Sequence, residues 1–406
     1  MGGTVSGEGG TTGANGGSQA LGGTIASSSG GKITFSSAGR GGAFVLLPPD
    51  EPGAGGAAGV CSSLQVVPGI PTVLILVDNS SSMFEPTDKS PWDLLYSTLM
   101  ADDGAIKTLA PKVRFGFTSF KGNNIPQMDE TGEACATLTS VPIALDNFAA
   151  IDKTYTMLGA EWMPGIKWET PTGHALARAA TELAAFQGDP PGPKSILLVT
   201  DGNPNTCQIV DPQCGQDLSI KAVQDAYTAG IKTFVVGIGE VIVGNNGCEP
   251  SWGRCGPNHL QDIANAGLGL PVEPPPETFV WQSCADAYGR ELQGTYDTTG
   301  MPGAAKFYTA ENAAQLTTAI EELLTALACT VEMDVRVTGN PAVGSVLVGV
   351  GKEPQVYGDP NGWKLEDNRY QVTLQGAACE KFKAEQTLDI TFPCDPLTGM
   401  PVAVKR

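Results

Sequence analysis

The chain is poor in several residue types and patterns, and each shortage removes a class of function. Only two histidines, His174 and His259, occur in 406 residues, and they lie far apart. That excludes a site built on several imidazoles, a His-Glu-x-x-His protease among them. No run of about 18 apolar residues is present, so no segment reads as a bilayer-spanning helix. Basic residues are outnumbered, with 24 Lys+Arg against 43 Asp+Glu and a net charge of −19. Such an excess of acid repels phosphate backbones and excludes a nucleic-acid partner. The sequence contains no G-x-S-x-G nucleophile elbow and no phosphate-cradling P-loop.

What is present points elsewhere. Ten cysteines, an even number, fall near predicted loops and domain ends, which suits an oxidising compartment better than the reducing cytosol. A secreted chain should open with a charged and then apolar leader, whereas this one opens Met-Gly-Gly-Thr, read here as a mature start. Residues 1–60 hold 19 of the 52 glycines and only five charged side chains. So little apolar surface does not offset the entropy of ordering, so this stretch reads as a flexible tether. A tether suits a protein held off a surface, by a lipid or another anchor. The expected location is extracellular, periplasmic or at the cell surface.

From residue 61 the texture changes. Thr72 to Val77 is a continuous apolar, β-branched run, the signature of a strand buried on both faces, and similar runs follow at 113–120, 195–200 and 231–238. Helical patterns alternate with them. Ala175, Leu176, Ala179, Ala180 and Leu183 share one helical face, and Leu316, Ile320, Leu323, Leu324 and Leu327 form a second stripe. Weaker helical windows lie at 91–101, 147–158, 217–229 and 258–266. This alternation predicts an α/β fold over residues 61–329, a doubly wound, mostly parallel sheet with helices on both faces. After residue 329 the period becomes two, at Val331 to Val337, Tyr370 to Leu374 and Leu388 to Phe392. Residues 330–406 therefore read as a small all-β module with a helical turn near Cys379 to Lys383.

In sheets of this kind ligands sit beyond the carboxyl ends of the strands, where strand order reverses. The first buried strand runs into Asp78-Asn79-Ser80-Ser81-Ser82, a later one ends in Thr200-Asp201-Gly202, and Thr170 to Gly173 precede the alanine-rich helix. Asp78, Ser80, Ser82, Thr170 and Asp201 offer only oxygen donors, the set a hard divalent cation takes. Alternation aims Ser80 and Ser82 at one point. Two hydroxyls and two carboxylates leave such an ion positive and short of ligands, and a carboxylate from a partner protein could complete its shell. The same residues could instead close an Asx turn, and Thr170 or Thr172 could cap the helix.

These stretches resemble the von Willebrand factor type A domain and its metal-ion-dependent adhesion site. The family pattern is Asp-x-Ser-x-Ser, then Thr, then Asp-Gly after a buried strand, and the resemblance spans about residues 68–328. It implies direct metal contacts from Ser80 and Ser82, and Thr170 binding directly or through water. Asp78 and Asp201 would act partly through bridging waters. It also implies Thr170 as the ligand, leaving Thr172 to cap the helix. His174 reads as a helix-surface residue or a capping hydrogen-bond partner rather than a ligand. Mg²⁺ is the expected ion, with Ca²⁺ or Mn²⁺ as alternatives.

The cysteines add a rim. Cys207, Cys214, Cys248 and Cys255 fall in loops after strands, at the expected metal edge, as the short pairs 207–214 and 248–255. A Cys₄ zinc site is the alternative, though its thiols are usually two to four residues apart. Cys61 and Cys329 flank the first strand and last helix, both expected at the sheet's amino edge, and should pair. Cys379–Cys394 would staple the β module, leaving Cys135 with Cys284. Together these features predict a metal-dependent binding or adhesion protein whose partner presents Asp or Glu, and not an enzyme. A metal-independent scaffold is the alternative. A serine hydrolase is the other, with His174 as the sole local base for Ser80 or Ser82.

Overall fold

The computed structural model describes residues 60–66, 69–85, 90–101, 104–122, 136–165, 168–206, 212–239, 256–273, 302–310, 369–393, 403–405 and most of 318–366. The tether assigned to residues 1–60 lies outside them except for Val60. In order, the larger region carries β2 (Thr72–Asp78), α1 (Pro91–Leu99), α2 (Ala105–Leu109), β3 (Arg114–Lys121) and β4 (Thr137–Ala144). There follow α3 (Phe148–Gly159), α4 (Thr172–Ala185), β5 (Lys194–Thr200), α5 (Pro212–Thr228), β6 (Ile231–Ile238), α6 (Pro257–Gly267) and β7 (Tyr308–Ala310). These strands form one six-stranded sheet in the order β4-β3-β2-β5-β6-β7. All neighbours are parallel except the β3–β4 edge pair.

The expected α/β architecture is therefore present, and the residue pattern explains it. All seven residues of β2 are buried, and they alternate between two cores. Val73, Ile75 and Val77 pack with Leu95, Ile151, Tyr155 and Leu323 on one face. Leu74 and Leu76 pack with Leu176, Leu198, Val223 and Ile263 on the other. A strand covered on both faces has no polar side, which is why the run reads as continuous rather than alternating. The helical stripe near residue 320 buries Ile320, Leu323 and Leu327 as its spacing requires. The antiparallel edge strand β4 was not anticipated, because its residues are largely exposed and carry little hydrophobic signal.

The β module draws on both ends of the described chain. Strand β1 (Val60–Val66) pairs antiparallel with β14 (Leu388–Pro393). That sheet continues through β10 (Ser345–Val348) to β11 (Glu353–Gln355). A second sheet joins β12 (Trp363–Leu365), β13 (Gln371–Leu374) and β8 (Thr330–Glu332), and β9 (Val335–Val337) pairs with β15 (Ala403–Lys405). Trp363, Val372, Phe382, Ile390 and Phe392 fill its core. The helical turn expected near Cys379 is a full helix, α7 (Gly376–Glu385).

Two expected disulfides are overturned. Cys329 pairs with Cys379, with Cα atoms 5.4 Å apart, so neither Cys61–Cys329 nor Cys379–Cys394 forms. The reason is strand partnership. Strand β8 lies against β13, Leu374 N donates to Cys329 O at 2.8 Å, and α7 starts two residues later and carries Cys379 over Cys329. Cys61 belongs to β1, in a different sheet. Cys214 is disulfide-bonded, while Cys135, Cys207, Cys248, Cys255, Cys284 and Cys394 lie outside the described residues. The Cys329–Cys379 bridge closes a separation of 50 residues, for which chain entropy gives about 4 kcal/mol. A Cys329→Ser/Cys379→Ser protein should melt several degrees below wild type in a thermal scan.

Candidate metal centre

Strand order reverses at β2, which has β3 on one side and β5 on the other. Connections leave β2 and β5 in opposite directions there, opening a crevice beyond their carboxyl ends. Asp78 ends β2 and Asp201 follows β5 directly. Asp78 is fully buried, Ser80 is 1% exposed, and Asp201 and Thr170 are each 7% exposed. Ser82, on the one-turn 3₁₀ helix Ser81–Phe84, is the solvent-facing member of the group.

Hydrogen bonds tie the cluster together. Ser80 N donates to Asp78 Oδ1 at 2.8 Å, closing an Asx turn. Ser80 Oγ and Ser82 Oγ are 3.1 Å apart, and Ser82 Oγ donates to Asp201 Oδ1 at 2.9 Å. Thr200 Oγ1 donates to Asp78 Oδ2 at 2.7 Å. A Cβ on Gly202 would stand 3.4 Å from Thr170 Oγ1 and 3.9 Å from Asp78 Oδ2, which places both oxygens beside the same point of the chain. All five sequence-identified side chains thus converge from three separate stretches. The turn alternative and the converging cluster coexist: the Asx turn is what places Ser80 beside Ser82.

Asn205 holds the Thr170 segment, which sequence reasoning missed. Thr170 N donates to Asn205 Oδ1 at 2.9 Å, and Asn205 N returns a bond to Thr170 O at 3.0 Å. Asn205 Nδ2 also donates to Glu169 Oε2. Nothing in the sequence marks Asn205. Thr200 was legible in principle, since parallel pairing of Val199 with Val77 brings the next residue beside Asp78. Thr172 is not the cap the resemblance implied. It is the first residue of α4, the N-cap position is Pro171, and the Thr172 hydroxyl donates to Thr170 O at 3.4 Å. His174, two residues on, is half-buried, and burial together with Arg178 holds its imidazole below the usual range.

The electrostatics of the cluster are unbalanced. Burial raises the Asp78 carboxyl to about 6 despite the hydrogen bonds from Thr200 and Ser80. Burial, and then the charge of Asp78, push Asp201 well above the carboxylate range, opposed by Ser82. Among the described residues, no basic side chain acts on either acid. Asn79, fully buried between Asp78 and Ser80, has no hydrogen-bond partner for its amide oxygen or nitrogen among the described residues. Two adjacent buried carboxylates without a counter-charge fit a divalent cation, which removes the repulsion that desolvation sharpens. The donor set is all oxygen and suits a hard ion.

No protein-family model matches this sequence, and no curated protein matches it. Among solved structures the chain is similar to the pilus adhesin SpaC of Lactobacillus rhamnosus GG, at 12% identity and a TM-score of 0.40. That match covers 81% of this chain and 40% of the adhesin. The chain is also similar to proximal thread matrix protein 1 of the mussel byssus, solved with a zinc-occupied MIDAS motif. There the identity is 15% and the TM-score 0.31, over 68% of this chain and 52% of that protein. Manganese-loaded TRAP protein of Plasmodium vivax matches at 12% identity and a TM-score of 0.33, over 64% of this chain and 76% of that one. The chain therefore spans well under two thirds of the first two. The neighbours include proteins of the von Willebrand factor A type.

Proposed function

We propose that this protein is a metal-dependent protein-binding module that captures an Asp or Glu side chain of its partner. One observation carries the reading: the hydroxyls of Ser80, Ser82 and Thr170 gather with two buried carboxylates, Asp78 and Asp201, that no basic side chain among the described residues neutralises. Ser80, Ser82 and Thr170 would hold the ion with their hydroxyls, and Asp78 and Asp201 with their charge. A bound divalent cation would supply a local positive field at the sheet edge. At a few ångströms that field outweighs distant, salt-screened acids, so a protein of net charge −19 can still recruit a carboxylate. Mg²⁺ is the ion proposed first, before Ca²⁺ or Mn²⁺.

No helix among the described residues is long and apolar enough to cross a membrane. We place the protein outside the cytoplasm, on the strength of its cysteines and glycine-rich first 60 residues. Isothermal titration with Mg²⁺ should give one site in wild type and none in Asp78→Ala. Equal heats from the two proteins would end this reading.

A further inference from the structure

The large sheet ends on one side in a long strand that nothing among the described residues pairs with. β4 spans eight residues, Thr137–Ala144, of which only Val141 is buried, whereas the opposite edge, β7, has three residues. An edge of this length is a template for another strand, and proteins usually blunt it with lysines, a covering loop, proline or a bulge. No residue of β4 is charged. Its proline and its bulge both lie toward the far end, at Pro142 and between the Phe117 and Phe115 pairings.

Which backbone groups of β4 look outward follows from β3. Arg114 N donates to Pro71 O at 2.9 Å and Phe120 O accepts from Asn79 N at 2.8 Å, so the even-numbered residues of β3 turn to β2. The odd-numbered ones turn to β4, where Phe117, Ser119 and Lys121 stand opposite Val141, Thr139 and Thr137. Leu138 and Ser140 therefore point N–H and C=O away from the sheet, and no described residue meets them. This run is closed at both ends. Ala136 O accepts from Arg178 Nη1 at 2.8 Å, while Pro142 has no N–H and its O accepts from Asn147 Nδ2 at 2.7 Å.

We propose that β4 is a dimerisation edge, on which a second copy of this chain pairs antiparallel through Leu138–Ser140 and extends the sheet across a two-fold axis. The run is symmetric about Thr139, and that symmetry selects the occupant. Leu138 of one copy stands opposite Ser140 of the other, where the two exchange N–H···O bonds, and the axis repeats the pair. The same register sets Ala136 against Pro142, whose carbonyls are both already bonded, so neither is stranded. Thr139 meets its counterpart as a favourable cross-strand pair. A foreign strand has no such match at both ends. The contact is short of the roughly 1,200 Å² of a stable interface, so the dimer is weak and reversible. A net charge of −19 on each copy opposes it, so salt should strengthen it. Strands run opposite ways across the axis, so the two carboxyl edges face opposite directions. On the metal reading above, on which this consequence alone rests, the dimer bridges two partner surfaces.

The test is sedimentation equilibrium of the whole chain from low to high micromolar concentration, at low and high salt, in chelator and in Mg²⁺. Hydrogen exchange at single amides accompanies it. The mass should rise from one copy toward two, more readily in high salt and equally with or without the metal, so the result stands apart from the fate of the metal reading. The Leu138 and Ser140 amides should exchange about tenfold or more slowly in the dimer, while Thr139 and Val141, bonded to β3, stay protected throughout. Thr139→Lys sets two like charges face to face across the axis and should leave a folded monomer. Ser140→Pro removes an N–H that no internal bond uses and should do the same. A single-copy mass at every concentration would overturn the proposal. Slow exchange of Leu138 and Ser140 in that monomer would assign the edge to another part of this chain, and fast exchange would leave it to a strand of another protein. A dimer that survives both variants would place the contact elsewhere and equally overturn it.

Discussion

Replacing Asp78 by Asn should make the cation-free protein melt several degrees higher while removing its response to Mg²⁺. Burial raises the Asp78 carboxyl to about 6, so at neutral pH the folded chain carries a buried charge that the unfolded chain would carry in water. The sign follows from proton counting. Between the unfolded value of 3.8 and the folded value of about 6, the native state binds more protons, so stability falls as pH rises through that window. Above it, the deficit from Asp78 levels off at roughly 3 kcal/mol. The Asp78→Asn side chain carries no such charge, keeps an amide acceptor for the Ser80 N–H, and leaves Asp201 without a charged neighbour. Saturating cation should reverse the ranking, since a ligand at a hundred times its dissociation constant adds about 2.7 kcal/mol to the protein that binds it. Thermal scans of both proteins at pH 5 and pH 7.5, in chelator and in Mg²⁺, separate the buried-charge effect from the cation effect. The idea fails if the variant melts lower than wild type in chelator and Mg²⁺ moves both proteins equally.

That trade between stability and binding explains what was legible in the sequence and what was not. The β2 run and the Asp-x-Ser-x-Ser stretch are local, and a parallel sheet covered on both faces forces the strand end to be the site's edge. Residues that act locally, or at the carboxyl end of a strand, could therefore be read directly. Residues that act through a tertiary contact could not. Asn205 reaches Thr170 from 35 positions away, and its own neighbourhood shows no pattern. The disulfide error has the same origin. Cys61 was assigned to the amino edge of the large sheet on the assumption that the segment before β2 belongs there, whereas β1 pairs with β14. Which of two sheets a short strand joins depends on partners more than 300 residues distant, and alternation alone carries no record of them.

Glu366→Gln should destabilise the protein by about 3–5 kcal/mol at neutral pH, the usual loss when one member of a buried ion pair is removed. Lys232 Nζ on β6 lies 3.3 Å from Glu366 Oε1, with side chains only 10% and 9% exposed, so this contact joins the large sheet to the β module. Lys364 Nζ lies 3.2 Å from the same oxygen, and Thr373 Oγ1 donates to it at 2.5 Å. Burial alone would raise the Glu366 carboxyl, but Lys232 and Lys364 together with the Thr373 bond hold it below the usual range. Its stabilising effect is therefore complete above the unfolded value of 4.5 and is lost as pH falls through the lowered folded value. The gap between wild type and variant should close in acid. It should also narrow in alkali, for a different reason. Burial already lowers Lys232 against the pull of Glu366, and without that carboxylate the ammonium releases its proton more easily. Below the unfolded value of 10.5 the folded variant then binds fewer protons, so its stability rises with pH. Urea melts of wild type and Glu366→Gln across this range should trace a difference greatest near neutrality. Lys232→Met/Glu366→Leu, which removes both charges, should recover most of the loss. A deficit under about 1 kcal/mol at pH 7 would mean the two regions are held by other contacts, such as the 3.1 Å bond from Gln371 Nε2 to Gly230 O.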